Sequence, residues 1–261
     1  MNRHHRLFFL LCAAFLACCL IGLLSALLQA GSPTAVFLLD KQSAHMTFFP
    51  YPVTFQNVMT LCFFVALGEL FFRFSEIQRQ KQFFEMKLLP EDPHAVLTSE
   101  DLPALRERLS RKTGSLRGFL PHLIDQCSLN FQANRSISSA HQVFSSMNDL
   151  ELHRMDLRYN LLRYLVWLLP TLGFIGTVVG IALALSDFST SVGDGKSIQQ
   201  ILPGISANLG LAFYTTIIAL FYSAVLVWLM QWLQATEEDL VNKTSSYCWE
   251  NFLNRLYIHQ S

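Results

Sequence analysis

The chain has 261 residues, of which 52% are hydrophobic and 15% charged, with a mean hydropathy of +0.33. Soluble domains carry about 25% charged residues, so this composition points to a membrane protein surrounded by lipid. Lys+Arg and Asp+Glu both number 19, and that balance leaves no field to attract nucleic acid or an acidic ligand. The six cysteines, Cys12, Cys18, Cys19, Cys62, Cys127 and Cys248, form no CxxC pair. They read as small buried hydrophobes rather than a disulfide framework or a metal site.

Residues 1–28 hold the first apolar run, uncharged from Leu7 to Leu28 and long enough to cross a hydrocarbon core of roughly 30 Å. Arg3 and Arg6 precede it as in a signal peptide. A cleavable apolar region is usually only about 7–15 residues long, so the length favours a retained anchor. Residues 29–52 read as an outer loop and 53–72 as a second span, in which Glu69 has Arg73 four residues on as an ion-pair candidate. Residues 73–163 are the polar section, which Pro90, Pro93, Pro103 and Pro121 are expected to break into pieces. Near its end Leu152, Met155, Leu161, Leu162 and Leu165 fall at helical spacing, which predicts one rigid rod running into the third span.

Residues 164–233 contain two further spans, 164–185 and 205–233, around a short loop; 234–261 reads as an amphipathic continuation of the last helix. Lys41 and Lys196 are the only Lys or Arg residues of the two short loops, whereas the section between spans two and three is rich in both. By the positive-inside rule both termini and that section are cytoplasmic. The predicted fold is an all-α membrane protein with four transmembrane helices, a helical cytoplasmic section between the second and third, and long helices extending into the cytoplasm.

The stretch PTLGFIGTVVGIALAL, residues 170–185, has no charge but carries small residues in a pattern. At about 100° per residue, Gly173, Thr177, Gly180 and Ala184 share one narrow arc, with Gly176 at its edge. On the last span Asn208, Ala212, Thr215, Thr216, Ala219 and Ser223 share another. Two readings fit. Small residues let helix backbones approach and hydroxyls bond across them; alternatively the stripes line a path or cradle another helix. Asn208, Thr215, Thr216 and Ser223 make the second stripe more polar than packing alone requires.

The segment from Pro170 to Ile181, P-T-L-G-F-I-G-T-V-V-G-I, resembles the second core helix of the MotA/TolQ/ExbB proton channel family, a proline followed by G-x-x-G-T-V-x-G. The segment from Ala212 to Leu220, A-F-Y-T-T-I-I-A-L, is similar to that family's last core helix. Thr216 matches its threonine, and Ala219 stands where glycine is usual. The resemblance implies a homopentameric ring around a dimer of single-span partners of the ExbD, TolR or MotB kind, in a bacterial inner membrane. It implies that a partner aspartate takes up and releases the ion while Thr177 and Thr216 face the ion path, Thr215 being the neighbouring candidate. The extra first span gives a two-plus-two arrangement like that of MotA. Leu211 stands where TolQ and ExbB proteins often have a glutamate.

Intramembrane carboxylates normally mark ion pathways because charge is costly there. None lies mid-span in the last two helices, so an ion-carrying carboxylate has to come from a partner. Asp187, at the outer end of the third span, reads either as a solvated cap or as a group drawing cations to the path mouth. Gly193-Asp194-Gly195-Lys196-Ser197 ends like a phosphate loop but has Thr190 where the first glycine is required, so it is a turn. His4 and His5 have no spaced third ligand for a metal. No cofactor and no nucleophile–base pair or metal triad of an enzyme is expected. The leading reading is the ring-forming subunit of an ion-driven motor. The alternative is a non-conducting helical membrane scaffold.

Overall fold

The computed structural model describes residues 3–39, 53–92, 96–114, 118–193, 195 and 197–257. It is built from eight α-helices and a short 3-10 turn, with no strand among the described residues: α1 Arg3–Leu27, α2 Pro33–Leu39, α3 Phe55–Glu85, α4 Leu102–Thr113, α5 Phe119–Asn134, α6 Ile137–Arg158, α7 Asn160–Gly193, α8 Ile198–Asn251 and the turn Leu253–Arg255. Four helical stretches are long and apolar enough to cross a membrane: α1, α3, α6–α7 and α8. The chain is a multi-pass membrane protein. By contacts it falls into two units, residues 2–72 with 161–231 and residues 73–160 with 232–261.

In the first unit α1 and α3 are joined by a close crossing. A Cβ added at Gly68 would lie 2.5 Å from Ala13 Cβ and 3.2 Å from Phe9 O, so a larger residue would force the helices apart. Phe9 packs against Phe71 and Phe72, at 5.7 Å between ring centroids in each case. Beside this crossing Arg6 Nε donates to Glu69 Oε2 at 2.9 Å, and Glu69 is fully buried. Arg6, distant in sequence, is thus a partner of Glu69 that the four-residue spacing to Arg73 did not announce. The loop expected over 29–52 contains α2, opened by Pro33 in a first turn that needs no proline N–H and by Ser32 Oγ, which accepts from Ala35 N at 3.3 Å. The rest of that loop, 40–52, lies outside the described residues. Thr54 ties α3 to α2: its hydroxyl donates to Leu39 O at 3.1 Å and accepts from Asn57 N at 3.3 Å. Further along, Phe63 of α3 stacks on Tyr222 of α8 with centroids 4.4 Å apart, and Thr60 and Tyr222 share a hydrogen bond of 3.2 Å.

The second unit has its own hydrophobic core, which includes Leu105 and Leu109 of α4, Leu123, Cys127 and Phe131 of α5, Phe144 of α6, and Cys248 and Phe252 from the chain's end. The C-terminal stretch therefore completes the fold of the 73–160 section. Pro103 and Pro121 lie in the first turns of α4 and α5, where they open helices rather than break them. Glycine and left-handed geometry end the helices: Gly114 has φ 67° after α4, and Arg135 takes φ 46° after α5, after which Ser136 caps α6 by accepting from Ser139 N at 3.3 Å. Thr98 donates from its hydroxyl and its amide to the Asp101 carboxylate before α4, holding that carboxyl below its usual range. Arg255 binds the chain after α3, donating to Pro90 O at 2.7 Å and to Asp92 O, while Leu97 N donates to Arg255 O at 2.8 Å.

The rod predicted through residues 152–165 is interrupted once. α6 ends at Arg158, Tyr159 takes φ −85° and ψ −4°, and α7 starts at Asn160. Buried Tyr159 donates its hydroxyl to Glu237 Oε2 at 2.8 Å, and Arg158 reaches Glu237 Oε1 at 3.1 Å while also pairing with Glu151. Burial, reinforced by the Glu237 charge, keeps the Tyr159 hydroxyl protonated well above its ordinary range.

The cysteines do not behave as one group. Cys12, Cys18 and Cys19 are exposed on α1 and Cys62 is partly exposed, whereas Cys127 and Cys248 are buried. Among the described residues, helix α1 has too few neighbours to cover its thiols. Burial pushes the Cys127 thiol up to about 12 and Cys248 well above its ordinary value. Since the thiolate is the reactive form, Cys127 and Cys248 should resist iodoacetamide at pH 8 in the folded protein and react fully in denaturant. Peptide mass spectrometry checks this, and rapid native labelling at either residue would contradict the packing described.

Candidate functional site

The two small-residue stripes face each other within the first unit. On α7 the spacing four-three-four places Gly173, Thr177, Gly180 and Ala184 along one seam. On α8 Asn208, Ala212, Thr215, Thr216, Ala219 and Ser223 run along the opposing line. The glycines are required by the closeness of the backbones. A Cβ at Gly180 would lie 2.7 Å from Ala212 Cβ and 3.1 Å from both Ala212 Cα and Asn208 O; one at Gly173 would lie 2.5 Å from Ala219 Cβ; one at Gly176 would lie 2.7 Å from Thr215 Oγ1. Gly173, Gly176, Gly180, Ala184, Ala212 and Ala219 are all buried.

Polar groups recur along this seam, and most of them reach from one helix to the other. The Asn208 amide donates to the Asp187 carboxylate. In the middle, Thr177 and Thr216 share a hydrogen bond between their hydroxyls. Thr177 Oγ1 also lies 3.1 Å from both Gly173 O and Ala212 O, and Thr216 Oγ1 lies 3.3 Å from Gly173 O. Thr215 turns inward, donating to Ala212 O at 2.8 Å. At the far end Ser223 donates to Val166 O at 3.2 Å. Val166 is four residues before Pro170, which sits inside α7 and has no N–H to offer that carbonyl. The serine of α8 supplies the donor that the proline removes.

Exposure separates these groups. Asn208 is 3% exposed, Thr215 2% and Ser223 9%, and their polar atoms are engaged inside the seam. Thr177 and Thr216 are half-buried, so their paired hydroxyls stand at its open edge. Bulky residues flank that edge and face outward, among them Phe174, Val178, Ile181, Phe213, Ile217 and Leu220. Each threonine hydroxyl has a single proton and two acceptor lone pairs. One of the two protons lies in the bond between the hydroxyls and the other can go to a neighbouring carbonyl, leaving oxygen lone pairs at the edge.

Periodicity identified both stripes but could not say that each is the other's partner. It also stopped the first stripe at Ala184, although the next three-residue step is Asp187. Of the turn between α7 and α8, Gly195 has φ 73°, while Asp194 and Lys196 lie outside the described residues.

Two substitutions test the seam. Ser223→Ala leaves Val166 O without a donor and should cost about 1–2 kcal/mol. Gly180→Val places its side chain against α8 backbone and should lower the thermal midpoint further. Unfolding in mild detergent measures both, and a Gly180→Val protein as stable as the wild type would contradict the close approach.

The family model of the MotA/TolQ/ExbB proton channel family matches residues 116–246, which takes in α5, α6, α7 and most of α8. No curated protein and no solved structure matches the chain. The family consists of channel and transport-coupling proteins rather than enzymes, and its members act with single-span partner subunits. The match spans half of the chain, includes both halves of the seam, and extends the likeness back from Pro170 to residue 116. This chain belongs to the MotA/TolQ/ExbB proton channel family.

Proposed function

We propose that this chain is the ring-forming subunit of an ion-driven motor in a bacterial inner membrane. Copies of it form a pentamer around a dimer of single-span partners, and both termini, with residues 73–163 and 234–261, are cytoplasmic. The observation that carries this reading is the Thr177–Thr216 hydroxyl pair, partly exposed at the edge of an otherwise closed seam, in a chain of this family. Asn208, Thr215 and Ser223, grouped with these threonines from the sequence, act in this reading mainly by holding α7 to α8.

The chemistry follows from the donor count. A protonated partner aspartate gives a hydrogen bond to a threonine oxygen, whose own proton stays on Gly173 O or Ala212 O. An ionised aspartate accepts instead, and a hydroxyl rotates outward to donate to it. The pair follows the charge of the partner through a side-chain rotation alone, without separating the helices. A carboxylate in the bilayer core is costly when poorly solvated, so this choice of donors changes how stably the partner sits against the ring. Each charge crossing the membrane supplies about 2.3 kcal/mol per 100 mV, enough for a few ions to drive a packing rearrangement.

A second reading, a non-conducting scaffold, is favoured by the same closure of the seam, because the stripes satisfy one another inside one chain. Replacing both Thr177 and Thr216 by valine separates the two, since valine keeps the shape and removes the hydroxyl. The motor reading predicts that the complex assembles as before while potential-driven ion flux in proteoliposomes falls by about a hundredfold, the scale for losing one preorganised donor at a charged site. Disrupted assembly with no ion flux to lose in the wild type would favour the scaffold.

A further inference from the structure

The four-three spacing of the α7 stripe, Gly173, Thr177, Gly180 and Ala184, has Asp187 as its next step, opposite Asn208 at the start of the α8 stripe. Between Arg163 and Glu237 the charged residues are Asp187, Asp194 and Lys196 alone; Asp187 lies within α7, and the other two are outside the described residues. Asn208 is 3% exposed and donates to Asp187 Oδ2, whereas Asp187 itself is partly exposed and its Oδ1 has no hydrogen-bond partner among the described residues. α8 carries no Lys, Arg, Asp, Glu or His between Ile198 and Thr236, and neither does α2. The carboxylate therefore meets an amide and no described counter-charge.

A capping role does not account for this arrangement. Asp187 lies more than one turn before Gly193, the last residue of α7, too far back to serve the unpaired groups of the helix end, and its buried amide partner holds the carboxylate toward the seam. A carboxylate held by one oxygen, with the other open, is built to receive a cation.

We propose that Asp187, oriented by Asn208, is the cation-collecting group of the ion path, holding a proton or another small monovalent cation at the turn end of the α7–α8 seam before it reaches Thr177 and Thr216. The threonine pair is about 15 Å further along, from ten residues at a rise of 1.5 Å. Gly180 and Ala212 close the seam between them, so the cation travels along its edge. This inference rests on the ion-path reading above and adds the site that loads it.

The test is flux in proteoliposomes of the full complex, co-purified with its membrane partner, under a fixed imposed potential, with external proton and sodium concentrations varied separately. Asp187→Asn should raise the half-saturating concentration of the driving cation by about tenfold, the lower end of what a single-sign site gains in local counter-ion concentration, while the maximal flux changes little. Asp187→Glu should restore most of the affinity, and Asn208→Ala should shift it less than Asp187→Asn. A purely structural role would lower assembly or maximal flux and leave half-saturation alone. If the wild type conducts in a manner that depends on Thr177 and Thr216 while Asp187→Asn saturates as the wild type does, this proposal is wrong and the ion-path reading stands. If the wild type conducts neither cation, the ion-path reading fails and takes this proposal with it.

Discussion

Backbone-to-backbone approach between α7 and α8 is the constraint from which the rest of the membrane unit follows. Apolar burial drives little association between helices already in lipid, so what holds this pair is close packing plus hydrogen bonds. The packing needs glycine at 173, 176 and 180 against alanine or threonine across the seam. Once the backbones are that near, carbonyls such as Gly173 O and Ala212 O come within reach of hydroxyls on both helices. A bulkier seam would lose both the contact and the shared acceptors.

That closeness also explains how a polar stripe can be stable in a bilayer. Each unsatisfied polar group there is expensive, yet Asn208, Thr215 and Ser223 are engaged within the chain. Pro170 illustrates the trade. It frees Val166 O, a defect in an isolated helix, and Ser223 repairs it from the neighbouring one. Thr177 and Thr216 differ because their bonds leave them at an exposed edge. In the proposed motor, that exposure lets the pair respond to a partner without the helix pair coming apart. The other unit is held differently, by a core of leucines, phenylalanines and two high-pKa thiols to which the end of the chain contributes.

The four apolar runs and both stripes could be read from the sequence because length and period are local properties. What they touch is not local. Nothing in the spacing around Glu69 points to Arg6, more than sixty positions earlier, and nothing around Pro170 names Ser223 as the replacement donor. Helix α2 was hidden in a loop too short and mixed to show a period. The interruption at Tyr159 was missed because the apolar spacing runs across it unchanged, while the hydrogen bond from Tyr159 to Glu237 that accompanies it joins distant positions. Pro103 and Pro121 looked like breaks because a proline's position within a helix decides its effect, and the sequence alone did not fix the helix starts. Asp187 could have been assigned to the α7 stripe by one further step of its period.

Whether copies of this chain enclose a partner is the claim on which the function turns, and native mass of the detergent-extracted complex, expressed with its neighbouring membrane proteins, addresses it most directly. The account predicts a pentamer retaining a dimer of a single-span protein. A monomer, a dimer or an assembly without any partner, persisting across several mild detergents, would contradict it and leave the seam as a packing device.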